Sequence, residues 1–166
     1  MNLRSRINLE SIAMTTARLA YHSAVPSVFK ALVDLTASVK DAGLDTQLID
    51  LVFQRISQLN GCAYCVDMHW RDLLAHGEDP QRLNSLTTWR EVDFFTPREC
   101  AALNWAEKVT NIQQGHAPDA DYEMLHEHFS DTEIAALTCA IALMNMWNRL
   151  GISFRLPVAK RKVAVN

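Results

Sequence analysis

A chain of 166 residues, 49% of them apolar, is enough for one domain with its own hydrophobic core, and we read 1–166 as a single domain. Sixteen basic against nineteen acidic side chains leave a formal charge of −3, without the dense positive face that phosphate backbones require, so no nucleic acid is expected as a partner. No stretch is apolar for long enough to span a membrane, and Met1 to Met14, with Arg4 and Arg6, alternate polar and apolar positions where a secretory signal needs an unbroken apolar run. The expectation is a cytoplasmic protein, in which thiols stay reduced and a close cysteine pair points to redox chemistry or metal binding.

In chain order, Pro26 opens a segment to about Lys40 in which Val28, Phe29, Leu32, Val33 and Leu35 recur at near-helical spacing, with Gly43 following as a stop. A second helix is predicted from Asp45 to about Leu59, broken by Asn60-Gly61. A third starts at or just after Cys62 and ends near Gly77. Asp79-Pro80 supplies a cap and a first-turn proline for a short segment towards Leu86. Thr96-Pro97-Arg98-Glu99 has the form of a capping box and predicts a helix to about Asn111. Ser130-Asp131-Thr132-Glu133 repeats the device and begins the longest helix, with Ile134, Leu137, Ile141, Met144 and Trp147 as its buried stripe and Gly151 as its stop. Pro118 to Phe129, between these two, is read as helical as well. Alternating β-branched residues never persist, so the expected class is all-α, a compact multi-helix bundle.

Of four cysteines, at 62, 65, 100 and 139, only the first two are near one another. At about 100° per residue Cys62, Cys65 and His69 share one helix face, and a pair in the first turn has its α-carbons within reach of a disulfide. The helix N-terminus offers unpaired N–H groups and the positive end of the dipole, which favour thiolate over thiol. His69, one turn beyond Cys65, is placed to accept or relay the thiol proton. The competing reading makes Cys62, Cys65 and His69 three ligands of a zinc site. It lacks a second close pair, because Cys100 and Cys139 stand alone and read as small core residues. Thioredoxin-like exchange would call for a βαβ setting that is missing.

The run Ser57-Gln58-Leu59-Asn60-Gly61-Cys62-Ala63-Tyr64-Cys65-Val66-Asp67-Met68-His69 closely resembles the core of AhpD-like alkylhydroperoxidases of the carboxymuconolactone decarboxylase superfamily. The resemblance continues through Trp89-Arg90, Glu99-Cys100-Ala101-Ala102-Leu103-Asn104-Trp105-Ala106 and Trp147-Asn148-Arg149, giving the domain an AhpD-like core at about 26–151. It implies an all-helical bundle with the Cys-x-x-Cys pair at a helix N-terminus, assembled as a homo-oligomer from trimer to hexamer. It further implies hydroperoxide reduction without metal or organic cofactor, with a dithiol or lipoyl-type reductant. By the same resemblance Cys65 is the peroxidatic thiol, Cys62 the resolving one and His69 part of the proton relay. Where the family's relay has a glutamate, twelve residues before the first cysteine, this chain has Asp50, one bond shorter by about 1.5 Å. Tyr64 replaces a histidine of the founding members and reads as an aromatic packed over the site.

Two other functions fit parts of this pattern. A decarboxylase of the same superfamily acting on a muconolactone-like acid shares the fold but lacks the cysteine pair. A non-catalytic oligomeric redox sensor would use the disulfide to switch assembly. His116, His126 and His128 lie among acidic residues without one-face spacing and read as solvated. Met14, Met68, Met144, Met146, Trp70, Trp105 and Trp147 read as core or subunit-contact residues. His22 and His76 carry no assignment.

Overall fold

The computed structural model describes residues 16–160, and every regular element among them is helical. The helices are α1 (Tyr21–Ala24), α2 (Pro26–Lys40), α3 (Thr46–Asn60), α4 (Ala63–Ala75), α5 (Pro80–Ser85), α6 (Pro97–Thr110), α7 (Asp119–Glu123) and α8 (Asp131–Ser153), with 3₁₀ turns at Leu86–Glu91, Ile112–Gln114 and Met124–Glu127. Their starts follow from local chemistry. Asp45 and Asp79 accept N–H bonds from Leu48 and Gln81, and both expected capping boxes form, at Thr96 with Glu99 and at Ser130 with Glu133.

Helix α3 is the centre of the bundle, packed against α4, α6 and α8. Ile49, Val52, Phe53 and Ile56 fill the main core with Ala102 and Ala106 of α6 and Leu137, Ile141 and Met144 of α8. Leu51 turns the other way, into a second cluster with Leu73, Leu83, Leu86, Trp89 and Leu103. A helix buried on both sides in this way carries apolar residues around most of its circumference, as Leu48, Ile49, Leu51, Val52 and Phe53 do on either side of Asp50.

Several expectations are corrected. Gly151 does not end the last helix: α8 runs to Ser153, and Gly151 lies inside it. Pro118 to Phe129 is not one helix but a short α7 followed by a 3₁₀ turn, and the turns at Tyr21–Ala24 and Leu86–Glu91 carried no signal that periodicity could read. Cys139 is exposed and Cys100 only partly covered, so Cys139 is no core residue. At about 100° per residue it sits opposite the stripe of Ile134, Leu137, Ile141 and Met144. In α2, Val28, Val33 and Leu35 are exposed, while Leu32 and Val39 are buried. Met14 lies outside the described residues, and Met146 is exposed.

Candidate active site at the head of helix α4

The geometry begins at the end of α3. Gly61 adopts φ +71, and the N–H groups of Gly61 and Cys62 donate to the carbonyls of Gln58 and Ser57, the Schellman pattern that closes a helix with a left-handed residue. Cys62 then caps α4 from an extended conformation, its Sγ accepting the N–H of Cys65 at 3.3 Å. Stop and start are one residue apart, so the pair is fixed in the first turn of α4, with α-carbons 5.3 Å apart and the two sulfurs bonded to each other.

A buried polar ladder holds this junction to α8. Asn60 Nδ2 donates to Asn145 Oδ1 at 3.0 Å and Asn148 Oδ1 at 2.9 Å, and Asn148 Nδ2 donates to Ser57 Oγ at 3.1 Å. Sequence reading assigned Asn60 only the role of a helix breaker; in the structure its side chain is a tie. Gly151 explains itself here too. A Cβ on it would lie 3.1 Å from Cys62 Sγ and 3.5 Å from Cys65 Sγ, so a bare backbone lets α8 pass against the disulfide.

Cys65 and His69 open onto a cavity of about 710 Å³ between α2, α4 and α8, walled mainly by apolar side chains that include Phe29, Phe53, Tyr64 and Trp147. Cys62 is buried and does not line it. Trp147 is fixed in the wall by donating from Nε1 to Thr36 Oγ1 at 3.0 Å, which joins α8 to α2. His69 packs on the Phe53 ring at 5.3 Å, and neither of its nitrogens has a hydrogen-bond partner. Burial first, and the charge of Lys40 second, push its pKa down to about 4, so the imidazole is neutral in the disulfide form.

Asp50 is 1% exposed and is not on a solvated helix face. Nor is it bonded to His69, whose nitrogens stand free; its Oδ1 instead receives Lys40 Nζ at 3.0 Å. Lys40 ends α2 and lines the cavity, and no sequence signal marked it as a site residue. A lysine in the last turn of a helix ordinarily signals only a favourable meeting with the helix dipole. Trp89 and Arg90 belong to a different task. With Arg55 they donate to the half-buried Glu107, at 2.9, 2.6 and 2.8 Å, and these bonds hold the carboxyl below its usual range although burial alone would raise it. They knit α3 and α6 to the 3₁₀ turn and do not line the cavity. His116 and His126 are exposed and His128 partly so. Among the described residues no three His, Cys, Asp or Glu side chains are grouped to hold a metal.

The bundle thus carries a Cys-x-x-Cys disulfide in the first turn of α4, with Cys65 on the wall of an apolar cavity. The chain belongs to the carboxymuconolactone decarboxylase family, which residues 26–108 match. It is 35% identical over 136 residues to the uncharacterized protein YdfG of Bacillus subtilis, covering 82% of this chain and 92% of that one. Its fold is similar to that of a protein of unknown function from Agrobacterium tumefaciens, a candidate AhpD antioxidant defence protein, with a TM-score of 0.85 and 40% identity over 88% of this chain and all of the other. It also resembles an uncharacterized peroxidase-related protein with an AhpD core from Ralstonia eutropha, with a TM-score of 0.71 and 25% identity over 80% and 71% of the two chains.

Proposed function

We propose that the protein is a thiol-dependent peroxidase that reduces organic hydroperoxides. The observation that carries the reading is the Cys62–Cys65 pair, bonded at the head of α4 with only Cys65 on the cavity wall. Cys65 is the attacking thiol and Cys62 the resolving one. In the reduced protein the Cys65 proton passes to His69, whose free nitrogens face no competing partner. The thiolate, favoured by the helix N-terminus and the charge of Lys40, attacks the terminal peroxide oxygen. The O–O bond breaks, the departing alkoxide takes a proton and leaves as an alcohol, and Cys65 is left as a sulfenic acid. Cys62 displaces its hydroxyl as water, forming the disulfide, and a dithiol or lipoyl-type reductant restores both thiols.

The neighbourhood of Asp50 supports a role in this relay through Lys40 and cavity water, in place of a direct bond to His69. Protein relatives described as peroxidase-related or as antioxidant defence candidates favour the same reading. The location we propose is cytoplasmic, consistent with the absence, among the described residues, of any helix long and apolar enough to cross a membrane. A homo-oligomer is proposed from the outward Val28 and Leu35 of α2. Steady turnover tests the function: hydroperoxide should be consumed with dithiothreitol or dihydrolipoamide as reductant, with two thiols lost per chain on oxidation. A disulfide that forms once and changes assembly without turnover would instead identify a redox sensor.

A further inference from the structure

Asp50 engages Lys40 through Oδ1, but its Oδ2 has no hydrogen-bond partner although the residue is buried. A buried acceptor left without a donor is destabilising, so the group facing it matters. That group is His76, with Nδ1 at 3.8 Å from Oδ2. His76 follows the last residue of α4; its N–H bonds back to Asp72 and Leu73, and its carbonyl accepts Gln47 Nε2 of α3 at 3.2 Å. The backbone carrying the imidazole is therefore pinned between α3 and α4. The side chain of His76 is 49% exposed, whereas Asp50 and His69 are both buried. When the organic part of a hydroperoxide fills the cavity, it displaces the water by which buried groups could otherwise trade protons through the mouth. His76, which does not line the cavity, stays open to solvent.

We infer that His76 exchanges protons between solvent and Asp50, as a positioning and proton-exchange residue that acts through that carboxylate. The inference takes its setting from the peroxidase reading but holds for any opening or closing of the disulfide. On reduction, a dithiol is oxidised to its own disulfide, the Cys62–Cys65 bond breaks, and each released sulfur gains one proton to replace the two that leave the dithiol. On oxidation, the proton leaving Cys65 is matched by the one the alkoxide takes, and the hydroxyl of the sulfenic acid leaves with the proton of Cys62 as water. These protons balance overall, but release and uptake fall at different atoms and moments; between them a proton is held in the relay, and Asp50 recovers its starting state through His76 Nδ1.

The test follows both half-reactions of the full chain by stopped flow at low buffer concentration, using dithiothreitol for reduction and cumene hydroperoxide for oxidation, with tryptophan fluorescence, to which Trp147 on the cavity wall contributes, as the signal. His76→Gln keeps a hydrogen-bond donor near Asp50 but cannot carry a proton; His76→Ala leaves room for a soluble base. Both should slow the half-reactions roughly ten- to a hundredfold, and added imidazole should restore His76→Ala saturably. The equilibrium of the protein disulfide with dithiothreitol should not move, as it would if His76 merely supported the fold. Rates equal to those of the unaltered protein, or a loss that imidazole does not relieve, would overturn the inference. If the dithiol step shows this pattern but no hydroperoxide reoxidises the pair, the peroxidase reading fails and the role of His76 stands. Hydroperoxide turnover indifferent to His76 would give the reverse.

Discussion

At the scale of single residues, burial decides how each group in the site can behave. His69 has a folded-state pKa of about 4 against about 6.5 when unfolded, so the unfolded chain takes up the proton first as pH falls. Stability of the disulfide form should be fully present above about pH 6.5 and decline towards pH 4, by roughly 3 kcal/mol in all. Urea unfolding of the oxidised protein across that range, against His69→Phe, which lacks the titration, reads the difference directly; parallel curves would contradict the assigned burial. Asp50 gives a second prediction. Asp50→Glu keeps the charge facing Lys40 and should retain most activity, whereas Asp50→Ala leaves Lys40 unpaired and should lower the rate of Cys65 oxidation about tenfold or more at neutral pH and less at high pH, where the thiol ionises unaided. Stopped-flow oxidation at both pH values checks this. Cys62, Cys65, His69 and Asp50 could be named as candidates because spacing and resemblance mark them. Lys40 and His76 were not, because they reach Asp50 from separate helix ends, and nothing in their local sequence distinguishes them from solvated termini.

At the scale of elements, the site depends on how α3 stops and α4 starts. Gly61→Ala places a side chain in the left-handed region and should destabilise by about 1–2 kcal/mol although nothing crowds its Cβ. Asn148→Leu removes the bonds to Asn60 and Ser57 from a fully buried position and should cost about 1–3 kcal/mol. Denaturation midpoints measure both, and the second should also loosen the junction that positions Cys62. Helix starts were the most legible feature of the chain, since a capping side chain and a first-turn proline act on neighbours within a few residues. Stops were less so. Gly151 has the residue type of a helix end, yet packing against the sulfurs, set by α4 far away in sequence, is what requires glycine there. The outward position of Cys139 follows from the phase of α8, opposite its buried stripe, and residue type alone, which marks a free cysteine as a small core residue, does not carry that phase.

For the molecule as a whole, the apolar residues left outside the core are informative. Val28 and Leu35 lie about two turns apart on the outer side of α2, the helix that also forms one wall of the cavity. We predict a native mass that is a multiple of the 18.7 kDa chain, reduced to the single chain by Val28→Lys with Leu35→Lys; sedimentation of both proteins checks it. The all-helical class and the bundle were readable from periodicity and caps, whereas the cavity arises from the meeting of α2, α4 and α8 and has no signature in any one of them. The peroxidase we propose divides its labour between two sulfurs that differ in access to that cavity. The most direct measurement of that division is the reaction of each single variant with one equivalent of hydroperoxide, read by a sulfenic-acid trap. Cys62→Ser should consume one equivalent and yield a trapped sulfenic acid on Cys65, and Cys65→Ser should consume none. Equal reactivity of the two variants, or trapping on Cys62, would contradict the account.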